Sequence, residues 1–453
     1  MKIKFLSIFL LSVFFSAIGF SQDKTTPEGS WFGIISAQGL EIKLAFHIVK
    51  KDSLFIATMD SPDQQAFGIP VSSLLYRNSM LKIEIVNAQI EYTGVYTGDR
   101  IMGTFKQAGL SFPLNLSRRP FERVKRPQEP KVPLPYNTEE VTFTNSADSI
   151  TFGGTLSTPG LDPIKYVFVL ISGSGQQNRD SEIFGHKPFL VLSDYLARNG
   201  IATLRFDDRG IGKSGGNPAL STTKDYAKDV ISALRYLKGR KEFSNSKFGL
   251  IGHSEGGLIA PLVASSTDLA DLMILLAAPA QRGKDVILKQ QRMIASAAGV
   301  TKEELDKYEM TSSKLFELVE ENKENPELYN LVYQFMQRES QGEEKPAIEA
   351  QARSLVNPWM LEFLFYNPVP ALKNCTIPAL AINGEMDLQV DPENFEIIKN
   401  SYGDKNKISI LREPGLNHLL QPSDSGSPAE YAKIDTTISD EILKSIVNWI
   451  IHN

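Results

Sequence analysis

The feature that most narrows the fold is a set of short runs that are apolar at nearly every position. Residues 166–171 read Tyr-Val-Phe-Val-Leu-Ile, and 201–206, 248–251, 272–277 and 379–382 follow the same habit. A strand with one wet face alternates polar and apolar residues, because successive side chains point to opposite sides. A run without alternation is covered on both faces. Helical stretches over 188–199 and 226–237 separate these runs. Strands alternating with helices predict an α/β fold, a mostly parallel and doubly wound sheet with helices on both faces. Residues 141–144 and 150–156 predict an antiparallel pair ahead of it. About 100 residues, 278–377, lie between the strands at 272–277 and 379–382. A simple crossover needs far fewer. The charge-rich helical pattern around 313–320 predicts an inserted helical cap, over about 282–360.

Gly252-His253-Ser254-Glu255-Gly256 sits between the strand at 248–251 and a predicted helix, and it fits G-x-S-x-G. A serine on a sharp strand-to-helix turn needs small residues two before and two after it, so that the backbones can approach. The turn pushes Ser254 Oγ out at the carboxyl edge of the sheet. It also puts the next N–H groups at a helix N-terminus, where negative charge is favoured. Gly257 adds close packing of helix on sheet.

With this motif, the stretches 171–180 (ISGSGQQNRD) and 207–214 (DDRGIGKS) make residues 138–453 resemble an α/β-hydrolase, close to the serine-aminopeptidase-like hydrolases and their esterase relatives. The resemblance implies the chain order nucleophile, acid, histidine. Of the five histidines, His418 and His452 follow Ser254, and His452 is the penultimate residue. His418 lies just after the strand at 408–411, where a base can reach back to the elbow. His253 is read as packing of the elbow. The acid is expected after the strand at 379–382, where Asp387 is preferred over Glu385 and Asp391. In that role Asp387 holds the His418 imidazole in the productive tautomer.

A tetrahedral intermediate needs two preorganised donors for its oxyanion. One is expected from the backbone N–H of Glu255. The other is expected from the loop Ser172-Gly173-Ser174-Gly175, by position Ser174, with Gly175 as the alternative. Ser172 stands where the resembled family carries histidine. Residues 210–214 fail the phosphate-loop spacing and read as a structural turn with Asp207, Asp208 and Arg209. Residues 176–180 read as a loop bonded within itself rather than a substrate contact. No H-E-x-x-H or similar ligand set occurs, so neither a metal nor another cofactor is expected.

Ahead of this region, residues 22–119 predict an all-β domain. Alternation at 40–44 and 81–85 and closely spaced turn signals suggest seven or eight hairpin-connected strands in a barrel or sandwich. Trp31 after Gly29-Ser30, with Arg118 late in the stretch, resembles the lipocalin-type arrangement in which a Trp packs under an Arg; an ordinary core Trp is the other reading. Residues 120–137 contain five prolines and read as a semi-rigid linker. At the start, Lys2 and Lys4 precede an apolar stretch over 5–15, with Gly19 and Ser21 as small residues before a cut. This predicts a signal peptide over 1–21 and a periplasmic or secreted protein. The stretch is short for a membrane anchor, and no cysteine near the cut offers a lipid site.

Composition excludes several classes. The single cysteine, Cys375, rules out disulfide frameworks, Cys-zinc sites and iron–sulfur clusters. A net charge of −5, without a long basic block, argues against a nucleic-acid partner. The expectation is an exported serine hydrolase acting on carboxylic esters through Ser254, His418 and Asp387. An aminopeptidase using the same triad is the first alternative, with Glu317, Glu320 and Glu321 as candidate ammonium partners. A non-catalytic ligand-binding protein is the second. The partner is a small ester or a short peptide.

Overall fold

A computed structural model describes residues 26–453 except 38–39, 53, 65, 108, 122–125, 161–162 and 341–344. The predicted signal peptide, residues 1–21, lies outside the described residues.

The N-terminal region forms one nine-stranded antiparallel sheet. Its strands are β1 (Gly29–Ala37), β2 (Leu40–Lys51), β3 (Leu54–Ser61), β4 (Ala66–Pro70), β5 (Ser73–Arg77), β6 (Met80–Ile85), β7 (Ile90–Tyr96), β8 (Arg100–Gln107) and β9 (Leu110–Ser117). The order β4-β3-β2-β1-β9-β8-β7-β6-β5 is a meander rolled into a half-barrel, with the consecutive strands β4 and β5 at its two edges. The strand count exceeds the expected seven or eight because β4 and β5 are only five residues each and carry little alternation. Trp31, Phe46, Tyr92 and Phe105 fill the concave side and are fully buried or nearly so. The Arg118 guanidinium lies 3.7 Å from the Trp31 ring centroid, the Trp-under-Arg arrangement suggested by the sequence.

The second sheet has eight strands: β10 (Asn137–Asn145), β11 (Ile150–Thr158), β12 (Tyr166–Ile171), β13 (Ile201–Phe206), β14 (Lys247–His253), β15 (Leu272–Leu276), β16 (Ala379–Gly384) and β17 (Ile408–Glu413). Their order is β10-β11-β13-β12-β14-β15-β16-β17. β12 to β17 pair in parallel, while β10 and β11 form the expected antiparallel pair. Helices α1 (Pro188–Arg198) and α11 (Asp440–His452) cover one face through Leu192, Leu196, Ile442, Ile446 and Ile450. Helices α2 (Thr223–Lys238) and α3 (Gly256–Ser266), with the later α9 (Val369–Lys373) and α10 (Asn394–Ser401), cover the other. Each fully buried Leu or Ile contributes about 1.5–3 kcal/mol relative to exposure. These two apolar layers hold the sheet edge, and therefore the loops at its carboxyl end, in place.

Between β15 and β16 run α4 (Gly283–Ala297), α5 (Lys302–Asn322), α6 (Leu328–Glu339), α7 (Lys345–Leu355) and α8 (Pro358–Phe365). This helical insertion has its own small core of Phe316, Val319, Leu328, Val332, Ala352 and Leu364. It continues past residue 360, because Asn357 caps α8 through the N–H of Met360 and restarts a helix there. The proline-rich stretch is docked by polar contacts. Arg126 donates to the carbonyls of Phe184 and Ile434, and Gln128 accepts the N–H groups of Thr437 and Ile438.

Candidate active site

Ser254 follows the last residue of β14 and has φ of +53°, the left-handed region that a side chain adopts only under constraint. Such a residue stores about 1–3 kcal/mol and persists where its surroundings dictate it. Here the Ser254 N–H donates to Leu276 O at 2.9 Å, and the Gly257 N–H closes the turn on Ser254 O at 2.8 Å. The flanking glycines are sterically required. A Cβ on Gly252 would sit 2.1 Å from Gly256 O, and one on Gly256 would sit 2.2 Å from Ile171 O. On Gly257 it would lie 2.3 Å from Ala278 Cβ.

His418 comes from the loop after β17. That loop is shaped by Asn417, whose side-chain oxygen accepts the N–H groups of Leu419 and Gln421, both at 3.0 Å. His418 Nδ1 lies 2.8 Å from Asp387 Oδ2. Asp387 is 0 % exposed, and its other oxygen accepts the N–H groups of Gln389 and Val390 at 2.8 and 2.9 Å. A carboxylate accepting at Nδ1 fixes the proton there and leaves Nε2 as the free lone pair. His253 Nε2 donates to the His418 carbonyl at 2.9 Å. Burial pushes the His253 imidazole down to about 4, so it stays neutral and ties the elbow to the His418 loop. The rival acids are otherwise engaged or exposed. Asp391 pairs with Lys289 and accepts the Glu393 N–H, Glu385 is exposed, and His452 caps α11 through Asn448 O.

Ser254, His418, Glu255 and Ser174 line one cleft of about 320 Å³. Gly173 packs directly on the elbow: a Cβ there would be 3.1 Å from Ser254 Cβ and 3.3 Å from His253 O. The Ser172–Gly175 loop thus borders the same space as the Glu255 N–H. Ser172, in the place of the histidine of the resembled family, donates to Asp208 Oδ1 at 2.8 Å. Asp208 also accepts the Gln177 N–H at 3.0 Å, so one carboxyl holds both ends of the loop. Burial pushes the Asp208 carboxyl up to about 8, against those two hydrogen bonds. Asp207 accepts the N–H groups of Arg179 and Lys213, and Arg209 pairs with Asp229, which makes 207–214 the structural turn expected. Residues 176–180, expected to be bonded within themselves, are so only at Asn178, whose Oδ1 accepts the Asp180 N–H. Gln177 and Arg179 donate instead to Asp208, Asp207 and Glu140, because the buried 207–208 turn offers the stronger acceptors, and Asp180 pairs with Arg205.

Two contributors escaped sequence reasoning. The Glu255 side chain is 2 % exposed and gathers donors from two elements, Thr223 of α2 and Trp359 of α8. Trp359 on α8 reaches it from the cap and stacks on Phe363, with centroids 5.2 Å apart, in the cleft wall. Only the "E" in the elbow motif could have drawn attention to this. The three cap carboxylates, Glu317, Glu320 and Glu321, do not line the cleft, and Glu320 pairs with Lys284.

Residues 188–334 match the family of serine aminopeptidases, S33. Over 283 residues, 62% of this chain, the sequence is 26% identical to esterase EstD of Thermotoga maritima. That match spans 61% of the length of the Thermotoga protein. Among solved structures, an esterase of Pyrococcus furiosus is similar at 16% identity and a TM-score of 0.42, covering 70% of this chain and 93% of that one. A proline iminopeptidase of Mycobacterium smegmatis is similar at 14% identity and a TM-score of 0.42, covering 69% and 98%. The sheet order and the elbow between β14 and α3 are those of an α/β-hydrolase fold, and the sequence is similar over its second part to serine aminopeptidases and to an esterase.

Proposed function

We propose that the chain is an exported serine hydrolase that cleaves carboxylic esters through Ser254, His418 and Asp387. The observation that carries this reading is the His418–Asp387 pair at 2.8 Å, buried behind a cleft that His418 shares with the strained Ser254. In this reading His418 Nε2 takes the Ser254 Oγ proton as Oγ bonds to the ester carbonyl carbon. The carbonyl oxygen becomes an oxyanion held by the N–H groups of Glu255 and Ser174. Collapse breaks the bond to the alkoxide, which leaves with the proton from Nε2. A water then gives its proton to Nε2, attacks the acyl-enzyme, and the carboxylic acid departs as Ser254 regains its proton. Asp387 stabilises the imidazolium in both halves.

The cleft lining supports an ester over a peptide with a free amino terminus. Its described residues include no lysine or arginine, and its one acidic residue, Glu255, is already bonded to neutral donors. A substrate ammonium requires an available carboxylate. Chromogenic esters and aminoacyl amides assayed on one preparation test this: esters should turn over faster, and preference for the amides would sink the ester reading. Export rests on the N-terminal pattern, and N-terminal sequencing of the protein recovered outside the cytoplasm should begin at Gln22.

A further inference from the structure

Glu255 occupies the position directly after the nucleophile, and attention naturally falls on its backbone N–H. Its side chain is the unusual part. A carboxyl buried to 2 % exposure ordinarily has a cation beside it. The hydrogen bonds recorded here come from neutral groups. Thr223 Oγ1, in the first turn of α2, donates to Oε1 at 2.6 Å. Trp359 Nε1, on cap helix α8, donates to Oε1 and Oε2 at 2.9 and 3.1 Å. Ser174, on the loop over the elbow, lines the same cleft as Glu255. Two elements distant in sequence therefore converge on one carboxyl whose own main chain borders the nucleophile.

We infer that the Glu255 side chain is a positioning residue that couples cap helix α8 to the oxyanion hole. It rests on the reading of Ser254 as nucleophile. Bonds from α2 and α8 to the carboxyl hold the Glu255 main chain, and with it the N–H expected to receive the oxyanion, at a fixed place beside Ser254. Trp359 extends the same connection to the cleft wall, where its ring stacks on Phe363. A second link keeps α8 over α2: Glu362, one turn from Trp359, pairs with Lys224 at 2.8 Å. A substrate that presses on the Trp359–Phe363 wall thus acts on the residue whose N–H receives the oxyanion. Donors placed in advance contribute to the transition state more than to ground-state binding, so their loss appears in kcat.

The test uses the full chain, with a small chromogenic ester and with thermal unfolding. Glu255→Ala should lower kcat by about 10²-fold, the scale of losing one oxyanion donor, with KM changed less than about threefold. Glu255→Gln, which keeps an acceptor for Thr223 and Trp359, should recover part of that loss. Trp359→Phe keeps the ring and removes the N–H; it should lower kcat several-fold on its own and add nothing in the Glu255→Ala background, because the two act as one unit. A structural role alone would lower the melting temperature and leave kcat in place. If Glu255→Ala does not fold, Glu255→Gln and Trp359→Phe decide. The inference is overturned if the folded variants keep kcat within twofold while Ser254→Ala is inactive. If Ser254→Ala itself retains turnover, the nucleophile assignment fails instead.

Discussion

Removing the Ser254 hydroxyl should abolish ester turnover while the fold survives, since the members of a triad act as a unit, with losses of about 10⁶. His418→Ala should fall equally low. Asp387→Asn should lose less, about 10⁴, because geometry survives while the tautomer and the imidazolium lose support. If Asp391→Asn were the crippling change, the acid would be misassigned; its pairing with Lys289 argues that it will not be. Asp208 gives a second measurement at this scale. Its carboxyl, pushed up to about 8 by burial, keeps a proton in the folded chain that the unfolded chain, near 3.8, releases. Stability contributed in this way is fully present below the unfolded value and is lost as pH rises through the folded one. Asp208→Asn lacks this proton linkage. The stability difference between wild type and Asp208→Asn should therefore shift against wild type from about pH 4 to about pH 8. Buried His186 and His253, both pushed down to about 4, act in the opposite sense on the acid side but cancel in the difference. Parallel unfolding curves across that range would remove Asp208 from the account.

The elbow and the cap differ in how much of them the sequence disclosed. The elbow is local: its glycines, its serine and the strand before it are contiguous, and steric need alone dictates their spacing. Gly252→Ala should accordingly cost about 3 kcal/mol, since the new Cβ meets backbone that cannot move aside. Urea denaturation reads this directly, and an unchanged midpoint would show that the turn has slack. Most of the parallel strands were legible from their apolar runs, less so the strand at 201–206 with its Thr203 and Arg205, and the meeting of Asp387 with His418 was expected from chain order with the resemblance. The Trp359–Glu255 contact was not legible, because its partners stand 104 residues apart and periodicity carries no information about which distant side chains meet. The same holds for Ser172 with Asp208, 36 residues apart. The two short edge strands of the N-terminal sheet were hidden for a different reason: five residues leave little room for a pattern.

Across the whole molecule, the proline-rich stretch is wired into the loop that carries His418. Gln128 clasps residues 437 and 438, the Gln421 amide donates to Thr436 O, and Gln421 bonds Asn417 beside His418. A fragment cut at residue 138 discards that clasp; one cut at residue 126 keeps it. We expect residues 126–453 to hydrolyse a small ester within about tenfold of the full chain, a change of about 1.4 kcal/mol in transition-state stabilisation. Residues 138–453 should unfold at lower temperature and turn over more slowly. Equal behaviour of the two fragments would show that the clasp is idle, and a folded but inactive 126–453 would show that the N-terminal sheet completes the site.

The insertion between β15 and β16 keeps its own small core, apart from the two apolar layers that hold the sheet. Heritable change can therefore fall unevenly on this molecule. Replacements of Phe316, Val319 or Val332 reach the cleft only through Ile287, which packs against that core and lines the cleft, and leave the register of the strands beneath undisturbed. Lineages descended from such a chain can drift toward new substrates one helix at a time. Their freedom narrows where the insertion is fastened to the sheet domain, at Trp359 on Glu255, Glu362 on Lys224 and Lys289 on Asp391.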